Sequence, residues 1–451
     1  MQTEKGRLTE GPVGRHLVAM TLPVFLGIMT LMGQSLVDAW FLGQVGDREL
    51  AAFAFGFPIL MIVTSVAIGL GAGTSSVVAR AIGSGDSRRA RRLTTDSLLL
   101  SFLITAAISL LGVLTINPLF RLLGAPDDMI PLIRGFMLIL YAGVPFVVVG
   151  MVGMAGMRAT GDTRLPSKLM IAGAILNIGL DPIFIFGYGP IPEMGLNGAA
   201  MAALLARGAI FVGALQLLRG KMNLVSFSKP DPGELAQSWK DILHVGIPAA
   251  GTNVIVPVGT VLITAMIATY GPEAVAGFGV ASRIEAMTLV VFYALSAIIG
   301  PFVGQNFSAG NESRILQALR MCMLFCVLSG LLMAAGLAAS ADYLPSLFSS
   351  SADVLRIASL FLWVAPIGYG AYGAVMVMNA SFNGLGRPLP AVGISVARIL
   401  VLYMPFAFIG KYYYGALGIF VAYSAANIIS GVIAYQWAKR TVRRHFSQPA
   451  Y

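Results

Sequence analysis

Three polar side chains in otherwise apolar runs are the residues of this sequence best suited to chemistry. Asp38 is the only Asp, Glu, Lys or Arg between His16 and Asp47. Asn177 and Asp181 stand four residues apart in another apolar run, so they share one face of a helix. A carboxylate at membrane depth is costly and is usually retained to bind an ion, a proton or a substrate. Two such carboxylates close together would not both stay ionised, which is expected of a proton carrier.

Either acid could instead have a structural role. Asp38 could be tied to neighbouring helices by hydrogen bonds. Asp181 precedes Pro182 near the end of its apolar run, where it could cap or pack locally. Both acids lie near the same end of their runs, and this similar depth favours a shared site.

Further side chains are predicted to line the same cavity or to form a hinge. Proline removes a backbone hydrogen bond, and helices kink at proline or glycine, so a bend is predicted below Asp38. Arg207, in the sixth run, could hold one acid ionised, or it could have a structural role and satisfy backbone carbonyls. The structural role is favoured. The sequence assigns no partners to this arginine or to Arg283, Glu285 and Arg398. The predicted cavity and hinge residues are Pro23, Gly27, Gln34, Asn197, Met201 and Arg207.

The composition identifies a membrane protein. Hydrophobic residues make up 57% of the chain and charged residues 11%, which is far from the composition of soluble domains. The net charge of +10 is therefore informative through its distribution among loops and does not indicate nucleic acid. The two cysteines, Cys322 and Cys326, stand one helical turn apart and do not form a disulfide framework.

Twelve apolar runs predict an all-α polytopic fold. The loops rich in Arg and Lys, such as 80–92, alternate with loops that carry mainly Asp and Glu. By the positive-inside rule both termini are cytoplasmic, which requires an even number of spans. The predicted spans lie near 17–43, 51–79, 93–117, 130–157, 166–187, 195–218, 242–270, 275–303, 315–339, 354–380, 388–410 and 415–438.

The sequence repeats itself once. A shift of 225 residues places Pro23 on Pro248 and Gly46 on Gly271, and later a shift of 223 places Arg164 on Arg387. Because each half has an even number of spans, the predicted pseudo-two-fold axis runs along the membrane normal, with a substrate chamber between the halves. The predicted divisions are a lobe at 1–218 that holds the coupling and substrate site, a cytoplasmic connection at 219–241, and a lobe at 242–451 with a short basic cytoplasmic tail.

The acidic residues do not follow the repeat. Asp38 aligns with Ile263, Asn177 with Leu400 and Asp181 with Met404. The ion chemistry is therefore predicted to belong to the first lobe alone.

Several motifs, taken in order, resemble those of the multidrug and toxic compound extrusion (MATE) family over essentially the whole chain. The paired first-half acids resemble the prokaryotic branch of the DNA-damage-inducible F transporters. The NorM-type branch often has second-half acids in the seventh and tenth spans, and those spans contain none here. The matching segments are QSLVDAWFLGQVG, LAAFAFGFP, AIGSGD, GMRATGDTRLP, LNIGLDPIFIFG, VGQNFSAGN and FNGLGRPLP.

The resemblance implies a V-shaped arrangement of two six-helix lobes with a central cavity, and it implies an antiporter. Such an antiporter exports organic, often cationic and amphipathic, compounds against an inward H⁺ or Na⁺ gradient. Asp38, Asn177 and Asp181 match the family's coupling site, and Pro23 matches its bending proline. The family's sixth-span hydroxyl is missing, because residues 194–213 contain no Ser or Thr. Sodium favours several oxygen ligands, so protons are the favoured coupling ion over Na⁺ at Asp38, Asn177 and Asp181.

Other functions remain open at this point. A Na⁺-coupled drug antiporter is one, and a lipid-linked oligosaccharide flippase of the same superfamily is another, which Arg207, Arg283 and Arg398 keep in consideration. Three histidines and no catalytic motif speak against an enzyme. We expect no cofactor besides the coupling ion, no nucleic-acid partner, organic substrates, a functional monomer and location in the inner (cytoplasmic) membrane.

Overall fold

The structure, a computed structural model, describes residues 6–226 and 231–447, and its regular elements there are helices apart from one isolated bridge between Tyr188 and Ile191. Eleven stretches of this part are long and apolar enough to cross a bilayer. The last, Leu389–Ser447, has 59 residues. At about 1.5 Å per residue it is far longer than the roughly 30 Å membrane core.

Gly415 divides this last stretch. Its φ of 61° and ψ of −138° are not helical, and this φ favours glycine because a side chain would be strained there. The described chain therefore contains twelve spans, and the predicted all-helical polytopic fold is confirmed.

The described chain forms two compact units. The first contains residues 22–226 and 231–250, and the second contains residues 6–21 and 251–447. The assignment of separate roles to the two halves stays a prediction.

The first unit is built around its fourth helix. Helix α4 packs against three neighbours, α2, α3 and α6, while α5 packs mainly on α6. Its helices, some continuing into the second unit, are α1 (Val13–Val45), α2 (Asp47–Gly83), α3 (Ser87–Leu122), α4 (Ile130–Ala159), α5 (Arg164–Ile185), α6 (Gly195–Gln216) with a π-helical turn at Leu217–Lys221, and α7 (Pro232–Ala268).

Glycines on α4 explain its central position. A Cβ on Gly153 would lie 3.2 Å from a methyl group of Leu218, and one on Gly156 would lie 3.4 Å from a methyl group of Thr94. Small residues let helix backbones approach closely in membranes, where van der Waals packing drives association. These two glycines thus allow α3 and the π-helical turn after α6 to approach α4 closely.

The predicted connection at 219–241 is partly helical, because α7 already begins at Pro232. The Asp231 carboxylate accepts a hydrogen bond of 3.2 Å from the backbone N–H of Glu234 and so caps the start of this helix. The indole of Trp239 then donates to the Asp96 carbonyl at 3.2 Å, which holds the helix start against α3. Asp followed by Pro, Gly and Glu is a helix-start signal.

The second unit is arranged around α13, which packs against α9, α10 and α15. Close backbone contacts between Gly330 and Gly370, and between Gly300 and Gly384, fix this packing. Its elements are α8 (Pro272–Thr288), α9 (Val290–Ser308), α10 (Glu312–Ala339), α11 (Tyr343–Ser346), α12 (Ala352–Val364), a 3₁₀ turn at Ala365–Gly368, α13 (Tyr369–Gly384), α14 (Leu389–Val396), a π-helical segment at Ala397–Tyr403, and α15 (Met404–Ser447).

Helices α5 and α6 meet where Gly198 touches the backbone carbonyl of Phe184, three residues after Asp181. We expect Gly198→Ala to lower the free energy of unfolding by about 1–3 kcal/mol, because the new Cβ overlaps with backbone that cannot rotate away. Thermal unfolding of the purified protein in detergent measures this. Gly208→Ala on the same helix is the control. A Cβ there meets nothing within 4 Å, so this variant should be neutral or slightly more stable. Equal stability of both variants would contradict this packing.

Candidate functional site

Helices α1 and α5 meet along a regular seam that carries the predicted polar residues. A Cβ on Gly27 would lie 3.2 Å from the sulfur of Met170. The Gln34 amide donates to the Asn177 carbonyl oxygen, and these two residues are 143 positions apart. Gly27 and Met170 have the same offset, as do Asp38 and Asp181. A constant offset with steps of seven and four residues means that the two helices run parallel in register.

Hydrogen bonds connect the polar residues of the seam into one chain. Gln34 Nε2 also lies 3.4 Å from Asp38 Oδ2, and Asn177 Nδ2 donates to Asp181 Oδ1 at 3.2 Å. Asn177 and Asp181 are each only 1% exposed. Asp38, Asn177 and Asp181 thus lie together, with Gln34 as the bridge.

The two carboxyl groups lie within hydrogen-bonding reach of each other. Asp38 Oδ1 and Asp181 Oδ2 are buried and have no hydrogen-bond donor among the described residues. Two carboxylates in such contact repel each other when both are ionised, and one proton between them removes this repulsion. The geometry is therefore that of a carboxyl pair that can hold at least one proton.

Arg207 belongs to the same neighbourhood. It projects from α6, which packs on α5, and its guanidinium interacts electrostatically with Asp38. The positive charge stabilises an ionised carboxyl group in the pair and opposes its protonation. This attraction supports a role for Arg207 in holding one acid ionised, which the sequence placed second to a structural role, although no ion pair among the described residues joins Arg207 to either acid.

The remaining predicted residues take different places. Pro23 lies within α1 one turn before Gly27, and Gly27 is the close-contact point with α5. Asn197 faces Gly135 of α4, since a Cβ on Gly135 would lie 3.0 Å from its amide. Asn197 makes no hydrogen bond to either acid within the described chain. Met201 is half-buried on α6, six residues before Arg207.

The second unit contains a polar cluster that was not predicted from the sequence. Tyr423 donates to Glu285 Oε1 at 2.6 Å, and Arg398 Nη1 donates to Asn427 Oδ1 at 2.9 Å. Arg283 is exposed, so it and Glu285 have different surroundings. Tyrosines carry no charge and blend into an apolar run, which is why periodicity could not reveal this cluster. The buried Arg398 was the available signal.

Known proteins resemble this chain along nearly its whole length. A family model described as MatE matches residues 23–183 and 248–409. An FAD transporter of Shewanella oneidensis is 39% identical over 433 residues, covering 96% of each chain. The probable multidrug resistance protein YoeA of Bacillus subtilis is 24% identical over 447 residues, again covering 96% of each.

Solved structures show the same fold. The MATE transporter VcmN of Vibrio cholerae in the bent form has a TM-score of 0.91 at 32% identity, covering 96% of this chain and 99% of that chain. An outward-facing multidrug resistance MATE family transporter of the MOP superfamily has a TM-score of 0.91 at 26% identity, covering 98% and 99%.

The seam makes a stability prediction. Asn177→Leu removes the acceptor that the Gln34 amide finds on α5 and the donor to Asp181 Oδ1, so we expect the free energy of unfolding to fall by about 1–3 kcal/mol. Adding Gln34→Leu removes the amide that lost its acceptor on α5. The double variant should therefore lose less stability than the sum of the two single variants. Unfolding of all three variants in detergent measures this coupling, and strictly additive losses would show that the two amides do not interact.

Proposed function

Because the chain belongs to the MatE family of membrane transporters, we propose that it is a proton-coupled antiporter that exports organic compounds across the cytoplasmic membrane. The contact between the Asp38 and Asp181 carboxyl groups carries the proposal. The monomer is the working unit, and both termini face the cytoplasm. This orientation is supported by the alternation of cationic and acidic loops.

The arrangement of oxygen atoms favours protons over sodium. Asn177 already uses its carbonyl oxygen for Gln34 and its amide for Asp181. Two carboxylate oxygens, one each from Asp38 and Asp181, are then left without a donor among the described residues. A hard cation needs more oxygen ligands than this, whereas a proton needs only two. We therefore assign H⁺ as the coupling ion.

The charge on the pair links proton binding to export. A proton that arrives from outside neutralises a carboxyl group and removes part of the charge that attracts a cationic, amphipathic compound. It also ends the attraction between that carboxyl group and Arg207, which frees the seam to rearrange. Helix α1 then bends between Pro23, whose ring removes a backbone hydrogen bond, and Gly27. The first-lobe cavity shrinks, the compound leaves outward, and the proton is released to the cytoplasm.

Neutralising either acid should stop coupled export. We expect Asp38→Asn and Asp181→Asn to abolish drug resistance in cells at normal expression, because neither amide can carry the proton. In proteoliposomes, an imposed proton gradient should drive efflux by the unmodified chain and a sodium gradient should not. Pro23→Ala should keep the proton dependence and transport more slowly.

Glu193→Gln serves as the control, since this exposed acid lies in the same lobe outside the seam. It should transport like the unmodified chain. Full resistance with Asp38→Asn, or efflux driven by sodium alone, would contradict the proton mechanism.

A second candidate substrate is a flavin dinucleotide. The observation that favours it is the 39% identity with the FAD transporter across 96% of both chains. FAD carries phosphates and is anionic, so its recognition would depend on the half-buried Arg207 and the buried Arg398 more than on the acid pair.

One uptake experiment separates the two substrate classes. Inside-out vesicles are supplied with FAD or with ethidium under the same proton gradient. We expect other organic cations to inhibit ethidium accumulation and FAD to leave it unchanged. Accumulation of FAD that ethidium does not inhibit would instead assign the flavin dinucleotide as the substrate.

A further inference from the structure

The second unit contains a partly open cavity of about 190 Å³. Its wall includes Gly259 and Ile263, which the 225-residue repeat aligns with Gln34 and Asp38 of the α1–α5 seam. It also includes Arg398, two residues before Leu400, which aligns with Asn177. The position that supplies Asp38 in one half thus contributes the apolar Ile263 to a cavity in the other half.

Arg398 supplies the positive charge of this cavity, and Glu285 also lines it. Its side chain is 6% exposed, and its guanidinium lies 4.4 Å from the centre of the Tyr372 ring. None of the ion pairs formed by the described residues includes Arg398 or Glu285. The guanidinium is therefore held by Asn427 and by the tyrosine ring, and not by a bonded carboxylate.

Several donors around the cavity have no acceptor. Arg398 Nε, Asn427 Nδ2, the Tyr403 hydroxyl and the Ser282 hydroxyl are buried and unpartnered within the described chain. All four residues line the cavity. A buried donor without an acceptor is costly, so a set of four implies an occupant rich in acceptor oxygens.

The backbone supports this interpretation independently. Arg398 lies in the π-helical segment Ala397–Tyr403. Short π-helical insertions in α-helices are frequent at functional sites, because they redirect side chains at a cost in backbone hydrogen bonding. Tyr403, another lining residue with an unpartnered hydroxyl, ends the same segment.

We propose that this cavity binds the carboxylate or phosphate group of a small aromatic compound, with Arg398 and Asn427 as its principal donors. The cavity is smaller than the roughly 300–1,000 Å³ of drug-sized sites, so it suits one ring with one oxyanion. The rings of Phe278, Phe361 and Tyr293 form its apolar wall. The proposal does not rest on proton coupling at the α1–α5 seam.

Glu285 makes this site proton-linked. The charged or titratable groups that act on it are Arg398 and four tyrosines, namely its hydrogen-bond donor Tyr423 and Tyr369, Tyr403 and Tyr293. An ionised Glu285 repels a bound anion, whereas a protonated Glu285 leaves the single positive charge of Arg398 in the cavity. Anion binding and protonation of Glu285 therefore favour each other.

The test measures binding to the purified full-length protein, by calorimetry and by the rise in unfolding temperature with ligand. The probes are benzoate, phenyl phosphate, acetate, inorganic phosphate and tetramethylammonium, each at pH 6 and pH 8. We expect the two aromatic anions to bind, more tightly at pH 6. We expect Arg398→Gln to weaken them about tenfold or more, because it removes a charged hydrogen bond.

Three variants keep the test decisive. Glu285→Gln should retain anion binding and lose its pH dependence, whereas a cation site would be destroyed by this change. Asn427→Leu should also weaken the aromatic anions, and it replaces Arg398→Gln if that variant does not fold. Arg320→Gln removes an exposed arginine of the same unit and should bind like the unmodified chain.

The proposal would be overturned if Arg398→Gln and Asn427→Leu left the binding of the aromatic anions unchanged. So would a site that takes tetramethylammonium and loses it in Glu285→Gln, or a protein that binds none of the four anions. If acetate and inorganic phosphate bound as tightly as benzoate and phenyl phosphate, the site would be one for a free anion. The proposal of an aromatic ligand would then be overturned.

Discussion

Lipid offers no hydrogen bonds, and this constraint determines how the polar residues of the chain are arranged. A buried amide or carboxyl group in a membrane must find its partners on neighbouring helices. Along α1 and α5 the partners are supplied by a constant register, in which Gln34 meets Asn177 and Asp38 meets Asp181. This register gives hydrogen-bond partners to the amides of Gln34 and Asn177 but leaves one oxygen of Asp38 and one of Asp181 without a donor among the described residues. We propose that these two oxygens are where a proton binds.

The scaffold that keeps this register depends on glycine. Where Gly27 faces Met170, the two helices approach closely enough for short amide side chains to reach across. Gly198 does the same between α5 and α6, which brings Arg207 near Asp38. Glycine is unfavourable within a helix in water, but in a membrane its small size increases the packing area that holds helices together. Packing and electrostatics are thus linked at the same residues.

The duplicated halves illustrate how one framework can take different sets of charged residues. Each unit has a central helix surrounded by close neighbours, α4 in the first and α13 in the second. The first unit places two carboxyl groups beside one arginine, whereas the second surrounds Arg398 and Glu285 with tyrosines. The helical packing depends on small residues and tolerates both. Charge has therefore diverged between the halves while the architecture has been retained.

The sequence by itself determined the membrane class, the number of spans and the three polar residues of the seam, because apolar length and isolated charges are properties of the linear chain. It could not decide that Arg207 acts on Asp38, that Asn197 faces α4, or that Glu285 meets Tyr423. Those outcomes depend on helix rotation and on the π-helical turn at Ala397–Tyr403. Rotation is set by packing among many side chains at once, so only the tertiary structure resolves which neighbours a buried charge has.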